Sequence, residues 1–291
     1  MTALPSPELP QPTGELRSRL ASRLRQEDRL VVAFSGGADS ALLAAMAHQV
    51  LGARALAVTA VSASLPAAER AAARDFARRC GLPHVEVCTD ELDRPEYRRN
   101  DADRCFHCKS ALFDALGPLA AAMGARVALG TNTDDLADYR PGQRAAQARG
   151  AVFPLVDAGL TKAAVRAVSR ELGLVTADKP AAACLSSRVA YADPVTPELL
   201  ARIERAEDGL HAAGFADCRV RAHAAGTVAR VELPPADLDR AMAGREHLAG
   251  VLREAGFLFA ALDLNGLRSG SMNALLPGRP VRQAQRREAG R

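Results

Sequence analysis

The sequence predicts an α/β protein: a doubly wound parallel sheet with a smaller C-terminal α+β domain. Three observations carry this expectation. Leu30-Val31-Val32-Ala33-Phe34 is a continuous apolar run of the kind a strand covered on both faces requires. It breaks at Ser35-Gly36-Gly37 and leads straight into the helix former Ala41-Leu42-Leu43-Ala44-Ala45-Met46-Ala47. Strand-like runs then alternate with helical segments as far as Lys179-Pro180. After Pro194 a helix and two adjacent strand-like runs replace the alternation, and the two runs suit a hairpin.

Taken in order, residues 1–12 are Pro-rich and read as a flexible N-terminus, and Glu15 to Arg25 carries a helical period. After the first strand and its helix come a strand over Ala53 to Val61, a helix over Ala67 to Cys80, and a strand over His84 to Cys88 closed by Thr89-Asp90. A fourth strand, Arg126 to Leu129, runs into Gly130-Thr131-Asn132. These elements make a first domain at 13–180, with ligands expected at the carboxyl ends of its strands. Residues 181–195 are a linker carrying Cys184. The smaller domain, 196–276, holds a helix over Thr196 to Ala213 and strands over Cys218 to His223 and Thr227 to Leu233 around Ala225-Gly226. A helical stretch with Asp237, Leu238 and Leu248 follows, then a last strand over Phe257 to Leu264. Residues 277–291 read as a basic, flexible tail.

With 291 residues, 48% hydrophobic and 25% charged, the chain has ample core for one large or two ordinary domains. No apolar run approaches the roughly 18 residues of a membrane span. The start lacks the basic-then-apolar order of a signal peptide, so a cytoplasmic, membrane-free protein is expected. The net charge of +4 would invite nucleic acid, but residues 277–291 carry five arginines against Glu288 and account for the whole excess. With no Trp and three Tyr the chain also offers few platforms for stacking bases, so no nucleic-acid partner is expected.

The glycine turn is the first candidate site. Gly36 and Gly37 let backbone amides approach a ligand closely, and the helix behind them presents unpaired N–H groups and a partial positive charge, a setting that attracts phosphate. Ser35 and Ser40 add hydroxyls, and Asp39 adds a carboxylate that could hold Mg2+. No Gly-Lys-Ser/Thr follows, so this is not a Walker A loop, and the dinucleotide spacing Gly-x-Gly-x-x-Gly is absent.

Six cysteines (80, 88, 105, 108, 184, 218) in such a chain point to metal or catalytic work over disulfides. Cys105 and Cys108 form a Cys-x-x-Cys pair, which by itself suits a metal site, a redox pair or coincidence; two thiolates cannot close a structural zinc site. Flanking arginines and Lys109 favour thiolate. Cys184, in the linker before Arg188, is the best third ligand, against the plainer reading of a small buried hydrophobe. Cys80 and Cys218 suit core packing, and Cys88 sits at a strand end.

Ser-Gly-Gly-Ala-Asp-Ser at 35–40 resembles the pyrophosphate loop of the ATP pyrophosphatase (PP-loop) superfamily. The chain then shows, in order, Arg-Cys-Phe-His-Cys-Lys at 104–109, Gly-Thr-Asn-Thr-Asp-Asp-Leu-Ala-Asp-Tyr-Arg-Pro-Gly at 130–142, Gly-Leu-Thr-Lys-Ala-Ala-Val-Arg at 159–166 and Ala-Cys-Leu-Ser-Ser-Arg at 183–188. Together these resemble the LarE family, ATP-dependent sulfur transferases that build the nickel-pincer nucleotide cofactor of lactate racemase and its relatives. The resemblance runs from about Glu15 to about Leu264 and implies an adenine nucleotide α-hydrolase-like first domain.

The resemblance further implies a two-step conversion of carboxylate to thiocarboxylate on a pyridinium biscarboxylate mononucleotide. ATP adenylates a carboxylate, and sulfur then displaces AMP. In one version the thiolate of Cys184 attacks, its Cβ–S bond breaks and dehydroalanine remains. In the other, Cys105, Cys108 and Cys184 ligate a 4Fe-4S cluster whose fourth iron carries sulfide from a sulfur donor. Ser35, Gly36, Gly37, Asp39 and Ser40 would hold pyrophosphate and Mg2+, with Thr131, Asp135, Asp138 and Arg140 bordering the nucleotide. Arg219 and Arg221 share one face of a strand and suit a substrate phosphate, and Arg230 and Glu232 alternate likewise on the partner strand. A surface charge ladder is the plainer reading of these four. Glu207 matches an acidic position near the active thiol, and relatives form hexamers through the smaller domain.

Three rivals remain. A tRNA thiolase would share the loop and cysteines but should carry an RNA-binding extension. An amidotransferase resembling NAD synthetase would not need the Cys-x-x-Cys pair together with Cys184. A zinc-binding interaction module would leave the phosphate loop unexplained.

Overall fold

The computed structural model describes residues 12–137, 146–180, 182–268 and 270–275. Asp138 and Arg140, the Pro-rich start and the basic tail lie outside the described residues. The chain gathers into two units, Met1–Glu91 with Cys105–Ala182, and Leu92–Arg104 with Ala183–Arg291. Among the described residues no helix is long and apolar enough to cross a membrane.

In the first unit β1 (Leu30–Ala33), β2 (Ala55–Val61), β3 (His84–Cys88) and β4 (Arg126–Leu129) form one parallel sheet in the order β3-β2-β1-β4. Alternation along β1 explains why the run is apolar at every position. Leu30 and Val32 enter a core with Leu20, Leu42 and Phe76, while Val31 enters a second core with Leu112, Leu116 and Val127. The first core is roofed by α1 (Thr13–Leu24), α2 (Ala38–Leu51) and α3 (Ala67–Arg79), the second by α4 (Arg104–Met123). A later helix, α5 (Lys162–Glu171), adds Val165 and Val168 to the first core. Helices on both faces make the sheet doubly wound. β2 starts two residues later than the sequence predicts because Gly52–Arg54 forms a tight helical turn, with Gly52 at φ 60. Since β2 lies on one side of β1 and β4 on the other, the strand order reverses at the end of β1.

In the second unit α6 (Pro197–Ala212) starts on Thr196, whose hydroxyl accepts from the Leu199 amide at 3.2 Å. The predicted hairpin forms: β5 (Arg219–His223) pairs antiparallel with β6 (Val228–Glu232), Arg219 opposite Glu232 and Arg221 opposite Arg230. Helices α7 (Leu238–Ala243) and α8 (Arg245–Glu254) return the chain so that β7 (Phe259–Leu262) joins β6 in parallel, a direction the sequence did not reveal. Gly209 lets α6 and α8 close, since an added Cβ would stand 2.4 Å from Val251 Cγ1.

Residues 92–104 belong to the second unit, although the sequence places them within 13–180. Buried polar side chains explain the difference. Asn100, fully buried at φ 61, donates through Nδ2 to Ala190 O at 2.7 Å and Asp193 O at 3.0 Å. Tyr97 Oη donates to Ser186 Oγ at 2.6 Å, and Arg104 Nη1 donates to Ser186 O at 2.7 Å. Each of these side chains thereby finds its partners in residues 186–193, the segment that follows Cys184.

Candidate active site

In the first unit β1 delivers the chain into the glycine loop and α2 begins at Ala38, so the helix's free amides sit at the carboxyl edge of the sheet. Gly36 has to be glycine twice over: its φ is 73, and an added Cβ would meet Ala73 Cβ at 3.0 Å. The loop is closed by its serines. The hydroxyls of Ser35 and Ser40 lie 3.1 Å apart, the Ser35 amide donates to Ser40 Oγ at 3.2 Å, and Ser40 Oγ donates to Gly37 O at 3.1 Å.

The end of β4 packs directly on this loop. A Cβ on Gly130 would stand 2.8 Å from the Ser40 amide nitrogen, so only glycine permits the approach. Two residues on, buried Asn132 donates through Nδ2 to Asp39 Oδ1 at 3.0 Å. Asn132 and Asp135 brace each other, each backbone amide donating to the other's side-chain oxygen at 3.2 Å. Thr131 is half-buried beside them. Burial pushes the Asp39 carboxyl above the usual carboxylate range, the Asn132 hydrogen bond opposes this, and the charge of Asp135 adds to it. A half-buried carboxylate held in this way fits a divalent cation, which would restore its charged form.

Two first-unit residues near the loop were missed in the sequence. Nothing local in Gly130-Thr131-Asn132 sets Asn132 apart from its neighbours. Lys179 was read only as a domain boundary, yet its Nζ donates to Gly36 O at 3.0 Å and to Glu69 Oε2 at 2.6 Å. A separation of 143 residues between partners leaves no local signal to read.

Cys105 and Cys108 lie one turn apart near the start of α4, so their thiols share a helix face, Cys105 exposed and Cys108 half-buried. Among the described residues no three His, Cys, Asp or Glu side chains gather to hold a metal ion. Cys105 and Cys108 therefore offer two sulfur donors on one helix face of the first unit.

In the second unit Cys184 is exposed and opens the tight turn Leu185–Arg188. The turn is gripped from several sides. Ser187 Oγ donates to Cys184 O at 2.7 Å, and Arg188 Nη1 donates to Ala183 O at 2.5 Å and Cys184 O at 3.0 Å. Arg221 Nη1 reaches Ser187 O at 3.2 Å. Buried Glu207 spends both oxygens on Arg188, and Oε1 also accepts from the Val220 amide at 2.9 Å. Glu207 therefore reaches Cys184 through Arg188.

A surface charge ladder does not describe the hairpin. Glu232 is fully buried and Arg221 buried, joined through Nη2–Oε2 at 2.8 Å and Nε–Oε2 at 3.0 Å, and Arg230 Nη1 adds a contact to Glu232 Oε1 at 2.9 Å. Arg219 differs from its neighbours: half-buried, it donates to its own neighbour's carbonyl, Cys218 O, at 2.6 Å. Burial, and then the nearby Arg188 charge, lowers its pKa, with the charge of Glu207 opposing the shift. Cys218 is core as expected, its thiol pushed up to about 12 by burial, and Cys80 packs partly buried against the first unit's core.

The family model for asparagine synthase matches residues 13–108, from α1 through the glycine loop to Cys108. The chain is 43% identical over 252 residues to the uncharacterized protein slr1717 of Synechocystis, spanning 86% of this chain and 93% of that one. It is 35% identical over 262 residues to the pyridinium-3,5-bisthiocarboxylic acid mononucleotide synthase of Lactiplantibacillus plantarum, spanning 89% and 94%. The uncharacterized protein MJ0830 of Methanocaldococcus jannaschii is 24% identical over 256 residues, 88% of this chain and 96% of its own.

Proposed function

Since the chain belongs to the LarE family of ATP-dependent sulfur transferases, we propose that it adenylates the carboxylates of pyridinium-3,5-biscarboxylic acid mononucleotide and converts them to thiocarboxylates for a nickel-pincer nucleotide. The observation that carries this reading is the 35% identity spanning 94% of the Lactiplantibacillus plantarum synthase.

A substrate carboxylate oxygen attacks the α-phosphorus of ATP, the bond to the bridging oxygen breaks, and pyrophosphate leaves with the electron pair. Gly36 and Gly37, with the hydroxyls of Ser35 and Ser40, form the cradle for the departing group. Asp39 would hold Mg2+, which would supply positive charge against the phosphates when bound. Thr131 and Asp135 would border the nucleotide, as would Asp138 and Arg140, which lie outside the described residues. AMP is the better leaving group when sulfur attacks the activated carbonyl. Arg219 is the residue we assign to the substrate phosphate, since its charge lacks a carboxylate partner among the described residues. Arg221, Arg230 and Glu232 shape the wall behind it.

Two sources of sulfur fit. The Cys-x-x-Cys spacing of Cys105 and Cys108 favours a 4Fe-4S cluster completed by Cys184, which would supply sulfide repeatedly from a donor. The exposed Cys184 favours its own sacrifice, in which its thiolate displaces AMP to form a thioester. Loss of the Cα proton with cleavage of the Cβ–S bond then releases the thiocarboxylate and leaves dehydroalanine. Anaerobic reconstitution with iron and sulfide, followed by counting thiocarboxylates per chain, separates them. More than one per chain, lost in Cys105→Ala or Cys108→Ala, supports the cluster; at most one, with Cys184 converted to dehydroalanine, supports sacrifice. A chain that releases no pyrophosphate from ATP with substrate present sinks both.

We also assign a second copy of the chain as partner. Among the described residues β7 is an edge strand, and Leu258, Phe259 and Leu264 beside it are 68%, 59% and 85% exposed, an apolar rim. All six cysteines are free, which suits a reducing, cytoplasmic setting.

A further inference from the structure

We propose that Lys179 is the catalytic cation for the pyrophosphate leaving group, held beside the glycine loop by Glu69 until phosphate arrives. This rests on the adenylation reading above. The loop at 35–40 has no lysine of its own, although the departing pyrophosphate develops negative charge that must be met. The geometry supplies one from a distance: Lys179 Nζ lies 3.0 Å from Gly36 O and 2.6 Å from Glu69 Oε2, with both side chains largely shielded from solvent.

The backbone that carries Lys179 is fixed from outside the loop. Arg166 on α5 donates from Nη2 to Lys179 O at 3.1 Å, the Lys179 amide donates to Thr176 O at 3.2 Å, and Arg170 holds the preceding Asp178 at 2.5 Å. Only the four-carbon stem and its ammonium remain free to turn. A lysine ammonium has three donors, of which Gly36 O and Glu69 take two. The bond to Gly36 O can persist while a phosphate oxygen takes the third direction or displaces Glu69.

The step balances without proton transfer. The new bond joins the carboxylate oxygen to the α-phosphorus, the broken bond leaves its electron pair on pyrophosphate, and Lys179 stays protonated throughout. Glu69 serves as the resting counter-ion. A phosphate group, carrying more charge than one carboxylate, wins the exchange.

The test is binding of magnesium pyrophosphate and of AMP to full-length Lys179→Met and Glu69→Gln proteins by calorimetry, with ATP turnover measured alongside. Lys179→Met should weaken pyrophosphate and lower kcat by about 10- to 100-fold while AMP binds as in wild type. Glu69→Gln, which keeps the lysine and removes its competitor, should bind pyrophosphate at least as tightly as wild type. If Lys179 and Glu69 form a purely structural pair, both variants lose pyrophosphate and AMP affinity together, and the proposal fails. Failure of the adenylation reading looks different: wild-type protein would bind pyrophosphate yet release none from ATP.

Discussion

Arg188 and Glu207 face each other as a closed pair, Nε to Oε1 at 3.0 Å and Nη2 to Oε2 at 3.1 Å, both buried. The remaining arginine nitrogen, Nη1, holds the carbonyls of Ala183 and Cys184. One carboxylate therefore sets the backbone of the sulfur-bearing turn without touching the thiol.

Glu207→Ala should destabilise the protein by about 3–5 kcal/mol, because it leaves Arg188 buried and unpaired. Chemical denaturation measures this. Sulfur transfer should fall further than the stability loss explains, whereas ATP–pyrophosphate exchange in the folded variant should persist.

Arg219 and Arg221 should part company on mutation. Arg219→Ala is expected to raise the KM for the pyridinium substrate with little change in unfolding, since it breaks no ion pair. Arg221→Ala should unfold earlier, at the low end of about 3–5 kcal/mol, because Glu232 keeps Arg230 and the Ser271 hydroxyl as partners. Substrate titration and denaturation on the same preparations check both.

Gly130→Ala should cost about 1–3 kcal/mol by overpacking, since the new methyl must push the Ser40 backbone away. ATP use should suffer more than stability, because the displaced atoms are the phosphate loop itself. Thermal unfolding with pyrophosphate release gives the comparison.

Asp39 sets a pH signature. Burial raises its folded pKa above the ordinary value of 3.8, so the folded state holds that proton more tightly than the unfolded chain does. The resulting stability is fully present below about the ordinary value and is lost as pH rises through the folded pKa. Above that window the ionised Asp39 is a cost, so Asp39→Asn should stabilise the ligand-free protein at neutral pH while abolishing magnesium-dependent ATP use. Denaturation at pH 4 and pH 7, compared with wild type, tests the sign.

Phe259→Glu should disperse any self-association through β7, because it sets a charge on the apolar edge. Sedimentation of wild type against the variant reads the change in mass.

The sequence made the first unit legible because its signals were local. The unbroken apolar run at Leu30–Phe34, the glycine pair and the period-two strand at His84–Cys88 each declare themselves within a few residues. The hairpin at 219–232 was readable for the same reason. What escaped reading was set by partners far away. Asn100 became a hub only because Ala190 and Asp193 lie beside it, and Lys179 reached the phosphate loop only through folding of the whole unit. The sequence places Arg221 with Arg219 on one face suited to a substrate phosphate, because alternation shows which residues share a face, not that Arg221 is buried against Glu232.

The assignment of residues 92–104 to the second unit means that the polypeptide passes between units at three places, after residues 91, 104 and 182. Neither half is a contiguous length of chain. During synthesis Tyr97, Asn100 and Arg104 emerge long before Ser186 and Ala190 exist to receive them, so their polar groups stay solvated until the later segment arrives. A chain divided after Pro180 would strand those side chains on the wrong fragment.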